Sequence, residues 1–235
     1  GRPPAAVQLP SDVGCFLHPI QDCFASLARH LQLPTGWASD LTQWFDTPTR
    51  YQEPLRLRKI LVPFYVEEEQ RPGIATLEVA LVAGRGEFYP DPLALAFITR
   101  DTAFQTAFNN ACTYVRHLGW WCEDAAVCWR LQADPPLFSL TGGSVGGACF
   151  AALWHLLTDT VNDLSVTISA GITPVGQLLP VDHIPAKRDI VLATPALSDL
   201  VVAADQAEVQ AGPYDRLRLW KVSHAADLAS HGQHT

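Results

Sequence analysis

Between residues 141 and 148 the chain reads TGGSVGGA and runs straight into CFAALWHLL, a segment of helical character over 149–157. Glycines crowded at a helix start restrict the fold strongly, because the backbone there is free to turn and to approach other groups closely. Ser144 sits among them and gains backbone room, free N–H groups and the positive end of the helix dipole, features that suit an oxyanion site. The same turn also fits a phosphate cradle, or a helix packed tightly on a strand. The motif alone leaves all three readings open.

Around this turn the pattern is mixed. Residues 57–66 and 74–82 partly alternate and are rich in Ile, Val, Phe and Tyr, predicting two strands separated by Glu67-Glu68-Glu69 and Pro72-Gly73. The acidic run is expected as a solvated hairpin tip. Residues 88–98 predict a further strand broken by Pro90 and Pro92. Phe104, Phe108, Ala111, Cys112 and Val115 share one stripe of a helix over 101–118 that Gly119 ends, and 125–131 reads as a strand. Beyond the turn, strands are expected at 166–172, 178–181, 200–204 and 217–222, with helices at 186–193 and from about His224. Ahead of all this, residues 1–12 read as a Pro-rich linker, 19–33 as an amphipathic helix ended by Pro34, and 38–45 as a short helix capped by Ser39. This order of elements predicts an α+β or α/β fold.

Composition narrows the function. A chain of 235 residues suits one main core with an appendage, and 48% hydrophobic with 17% charged residues excludes global disorder. The net charge is −8 and the 16 Lys and Arg do not cluster, which speaks against a nucleic-acid partner. No apolar run has membrane-spanning length and no secretory pattern opens the chain, so no membrane partner and a cytoplasmic location are expected. Cys15, Cys23, Cys112, Cys122, Cys128 and Cys149 lie in apolar surroundings and are expected as buried thiols rather than disulfides. Sets such as His117, Cys122 and Cys128, or Cys15, His18 and Cys23, lack metal-ligand spacing, so no metal is expected. Trp120, Trp121, Trp129 and Trp154 are expected in the core. The chain has no Met and begins Gly1-Arg2-Pro3-Pro4, as expected of a module cut from a longer protein whose missing part is N-terminal.

A serine hydroxyl is a poor nucleophile without a base. Lys187, one of three lysines with Lys59 and Lys221, follows the apolar Ile184-Pro185-Ala186. Buried there, it would be desolvated and available as a neutral amine; with its head in water it would be an ordinary lysine. Asp182 and His183 invite a Ser-His-Asp triad, but adjacent residues point in different directions.

The combination carries a resemblance. TGGSVGGACFAALWHLL followed by VTISAGITPVGQLLPVDHIPAK resembles the proteolytic domain of Lon proteases, in which a glycine-flanked serine opens a helix and a Gly-x-(Val/Leu)-Leu-Pro-(Ile/Val) strand leads to a lysine. Ser144 and Lys187 stand 43 residues apart, as the family's pair does. ATLEVALVAGRGEF upstream and RLRLWKVSHAADLASHG downstream extend the likeness from residue 55 to the C-terminus. It implies an α+β Lon-type domain of mixed sheets with packed helices over 55–235, preceded by a linker and helical extension over 1–54. It further implies a serine endopeptidase with Ser144 as nucleophile, Lys187 as base, and Ser169 in place of a threonine that orients the lysine. The backbone N–H groups of Gly143 and Ser144 would form the oxyanion site, with Gly142 supporting the turn, and no cofactor is implied. No GxxxxGK[ST] loop is present, so no ATPase motor accompanies it. The expected substrate is a protein or peptide cut at limited sites. Control is expected from an N-terminal regulatory domain or a separate partner, and a homo-oligomer is compatible because the family forms rings.

The departures are local. Thr141-Gly142-Gly143 replaces Asp-Gly-Pro, which implies a more flexible loop without its acidic residue; Gly171 replaces a glutamate; and Asp182-His183-Ile184-Pro185 replaces Gly-Gly-Leu-Lys. They keep two alternatives in play: a catalytically silent interaction domain, and a phosphate- or nucleotide-binding module built on TGGSVGG.

Overall fold

The computed structural model describes residues 54–91, 94–95, 98–161 and 163–231. The chain divides at Glu53/Pro54, and every described residue belongs to the unit Pro54–Thr235. The linker and the two helices expected before residue 54, with Cys15, His18 and Cys23, lie outside the described residues.

In chain order the elements are β1 (Arg56–Val66), β2 (Arg71–Ala83), β3 (Phe88–Pro90), β4 (Thr99–Arg100), α1 (Thr102–His117), β5 (Ala125–Ala133), β6 (Ser139–Leu140), α2 (Gly146–Leu157), β7 (Val166–Ser169), β8 (Gly171–Ile172), β9 (Leu178–Leu179), α3 (Ile184–Ala193), β10 (Asp199–Ala203), β11 (Gly212–Tyr214), β12 (Leu217–Val222) and α4 (Ala226–His231). The class is mixed α+β. Among the described residues no helix is long and apolar enough to cross a membrane.

Strands β1 and β2 form a hairpin in continuous antiparallel register from Arg56↔Leu81 to Val66↔Arg71. The chain reverses between Glu67 and Gln70, with Gln70 at a φ of 47°, so Pro72 and Gly73 belong to the ladder rather than to the turn where the sequence put them. Gly73 lies against Phe64, whose ring would be 2.3 Å from a Cβ there. The sheet continues through β5 to β3 in the order β1-β2-β5-β3. Helices α1 and α2 pack together, and α2 also packs on β1 and β2. Phe108 packs with its ring tilted against Trp129 at 4.2 Å and Phe104 at 4.8 Å between ring centroids. Cys112 and Cys149 are buried in the same core, and burial pushes both thiols up. They are free thiols, as is Cys122, which is half-buried rather than buried.

The second sheet runs β11-β12-β10-β7, with β10 parallel to both β12 and β7. All five residues of β10 are buried, so it shows no alternation. Helix α3 packs against β1 and β2, and Ile184 and Val191 join Leu200, Val202, Leu217 and Leu219 in a second apolar cluster that also touches Leu61 and Ile74.

One expected element is broken here by a contact elsewhere, and one is extended. The strand expected over 166–172 breaks at Ala170, whose N–H donates to the Ser144 carbonyl at 3.1 Å and whose carbonyl accepts from Gly147 at 2.9 Å. The helix expected from residue 186 begins at Ile184, with Pro185 in its first turn where a missing N–H costs nothing.

Candidate active site

Ser144 lies just ahead of α2, whose N-cap, Val145, makes no side-chain capping bond. The glycines around it do separate jobs. A Cβ on Gly146 would stand 2.8 Å from Ile172 Cγ2, and one on Gly147 would stand 2.8 Å from Ile168 Cγ2 and 3.4 Å from the Ala170 carbonyl oxygen. Those two let the helix start press onto the strands beneath it. Gly142 has open space around it but a φ of 76°, so conformation is what requires glycine there. Its N–H donates to Asp101 Oδ2 at 3.0 Å, which leaves it unavailable to an oxyanion. Among the described residues the N–H groups of Gly143 and Ser144 donate to no acceptor, and both residues are half-buried. Two unclaimed amides at the positive end of a buried helix stabilise a developing negative charge.

The loop has no acidic residue of its own, as expected, but a carboxylate reaches it from elsewhere. Asp101 supplies it from the start of α1, where Oδ1 accepts from the Phe104 N–H at 2.7 Å as a helix cap while Oδ2 holds Gly142. The loop is tied down. Beside Ser144 opens a cavity of about 50 Å³ whose walls include Val62, Phe104, Leu131, Leu140 and Val145.

Lys187 stands in the first turn of α3 and is only 4% exposed. Burial pushes its ammonium down to about 8, while Asp182, Glu208 and Glu67 pull it back toward the charged form. It forms no ion pair among the described residues. Ser169, on β7 opposite Val202, is fully buried, and its hydroxyl has no hydrogen-bond partner. An orphaned buried hydroxyl is costly, and such groups cluster where function needs them. Ser144 and Ser169 are therefore brought together through the backbone at Ala170, next in chain to Ser169. No hydrogen bond joins Lys187 Nζ to either hydroxyl.

The histidine expected as a triad candidate is committed elsewhere. His183 Nε2 meets Glu67 Oε1 and its ring lies on that of Tyr65, so it does not serve Ser144. Tyr65, Glu67, Asp182, His183, Pro185 and Glu208 line an open cavity of about 500 Å³ next to α3. The acidic tip is exposed as expected, and Glu67 also meets His183. Among the described residues no group of His, Cys, Asp or Glu is placed to hold a metal ion. Sequence reasoning missed Asp101 as a loop anchor and Glu67 as a partner of α3. An aspartate three residues before Phe104 signals a cap; nothing local signals the second contact of either. Set against known proteins, the chain matches no family model and no curated protein.

Proposed function

We propose that residues 55–235 form a Lon-type peptidase domain that hydrolyses peptide bonds through a Ser144–Lys187 dyad. The observation that carries this reading is Lys187 held buried with no ion pair among the described residues, a burial that pushes its ammonium down to about 8. At pH 7.5 roughly a quarter of such lysines are free amine, against about one in a thousand for an ordinary lysine. Free amine takes the Ser144 proton as Oγ bonds the peptide carbonyl carbon, and the amides of Gly143 and Ser144 receive the oxyanion. Collapse breaks the C–N bond, with the lysine proton passing to the leaving amine. Water then attacks the ester with Lys187 again as base, releasing the acid and Ser144. Ser169, the orphaned hydroxyl, orients the amine once the site closes on substrate. The small cavity beside Ser144 favours a compact side chain at the cleaved position. The substrate is a protein or peptide, no cofactor takes part, and the domain acts in the cytoplasm under an N-terminal domain or a separate partner, alone or as a homo-oligomer.

A fluorophosphonate probe or a peptide boronate should label Ser144 in the native protein. Labelling should fall by at least about a thousandfold in both Ser144→Ala and Lys187→Ala. A folded protein that no probe labels would overturn the reading. The missing hydrogen bond between Lys187 and Ser144 favours, in that event, a catalytically silent interaction domain. Thermal stabilisation by inorganic phosphate or a nucleotide would instead favour an anion cradle built on the free turn amides.

A further inference from the structure

The turn of the β1–β2 hairpin reaches the start of α3. Glu67 Oε1 and His183 Nε2 lie 2.5 Å apart. The Tyr65 ring stacks on the imidazole, with centroids 4.2 Å apart and planes 12° from parallel. His183 is the N-cap of α3 yet caps nothing with its side chain, and it holds φ 61° and ψ 27°. That left-handed region is unfavourable for a residue with a Cβ and persists where surrounding contacts impose it. The imidazole is occupied by Tyr65 and Glu67, and the His183 carbonyl accepts the Lys187 N–H at 3.0 Å. The gripped residue is therefore the one from which the lysine's own amide hangs.

We propose that His183, clasped between Tyr65 and Glu67, is a positioning residue that fixes the first turn of α3 and keeps Lys187 in its buried place. The functional meaning of this clasp rests on Lys187 being the base. With the clasp released, His183 relaxes out of the left-handed region, the first turn of α3 rotates, and the lysine head moves toward water. Three carboxylates act on Lys187: Asp182 just ahead of α3, Glu208 in the segment before β11, and Glu67 in the hairpin turn. The apolar side chains of Leu61 and Ile74 come to the same helix from β1 and β2. Of the carboxylates, Glu67 is the one that His183 holds.

The chain's three lysines make the test direct. In protein labelled with ¹³C and ¹⁵N in lysine, side-chain NMR follows each ammonium through pH, and Lys187→Met assigns the signal. In His183→Ala the Lys187 midpoint should rise by about one pH unit or more, toward the ordinary lysine value, as the head gains water. In Glu67→Gln it should fall below that of the native protein, because the amide oxygen still accepts from the imidazole while a charge that favours the ammonium is gone. Should His183→Ala fail to fold, Tyr65→Leu removes the stacked ring from the other side of the clasp and carries the same expected rise. An unchanged midpoint in the variant that folds overturns the proposal, as does a shift of the same sign in the histidine and glutamate variants. Fluorophosphonate labelling of the native protein separates the two readings: a midpoint that rises in His183→Ala while Ser144 goes unlabelled in the native protein sinks the peptidase and leaves the clasp standing.

Discussion

The two sheets of this domain solve different problems. The first, β1-β2-β5-β3, is built on a hairpin and a further antiparallel pairing, with helices α1 and α2 sealing an aromatic core around Phe104, Phe108 and Trp129. The second is assembled from short strands, with β10 paired in parallel to β12 and β7 across long connections and β11 added antiparallel to β12. Polar groups divide between them unequally. The first sheet's buried polar side chain, Glu78, is paired with Lys59 and Arg130; its pKa is lowered because, although desolvation raises it, those two cations outweigh that effect. Around the second, Thr167, Asp199 and Gln206 are buried and hydrogen-bonded, but among the described residues the Ser169 hydroxyl has no partner and Lys187 no ion pair. One region is settled in its contacts, while the other keeps these two buried polar groups uncommitted. Stability is therefore expected to reside in the first and chemical capacity in the second, at a cost in free energy.

Substitutions can break this contrast. The largest effect is expected in Phe108→Ala, which removes a 3%-exposed ring from the aromatic cluster and should cost about 4 kcal/mol in denaturant unfolding. A loss under about 1 kcal/mol would show that the first region is not the stability reservoir. Next comes Lys187→Met, of opposite sign. Lowering the lysine from 10.5 to about 8 means the folded state resists protonation, so below pH 8 the native side chain costs about 3 kcal/mol. From pH 8 to about 10.4 the unfolded chain holds the extra proton and stability rises with pH as the cost disappears. Urea unfolding should find Lys187→Met more stable by about 3 kcal/mol at pH 7 and by far less near pH 10.5. The smallest effect belongs to Ser169→Ala, which deletes an orphaned hydroxyl. Its midpoint should be unchanged or higher by up to about 1 kcal/mol, while probe labelling of Ser144 slows by about tenfold. A clear destabilisation would mean that the hydroxyl has work in the resting fold.

The same contrast governs what could be read in advance. The stripe Phe104, Phe108, Ala111, Cys112 and Val115 is buried throughout, and the β1–β2 hairpin stands where alternation placed it. Their partners are near in sequence or share a strict period, so the pattern survives in the string. In the second sheet β10 is buried on both faces, and β11 spans only Gly212–Tyr214, too short for any period. The elements bearing Ser144 and Lys187 were legible to within a few residues. Their surroundings were not: Asp101 reaches Gly142 across 41 positions and Glu67 reaches His183 across 116. Separations of that size leave no local trace, because tertiary packing chooses the pair.

Asp101 carries a consequence of its own. Its two carboxylate oxygens serve different masters, one beginning α1 and the other arresting the serine loop, so the long helix and the loop share a single rivet. Asparagine offers one oxygen where two are needed, and glutamate places its pair a methylene too far out. The residue that starts a helix here also sets how still the serine loop can be held, and the freedom of one cannot be altered by evolution or by design without disturbing the other.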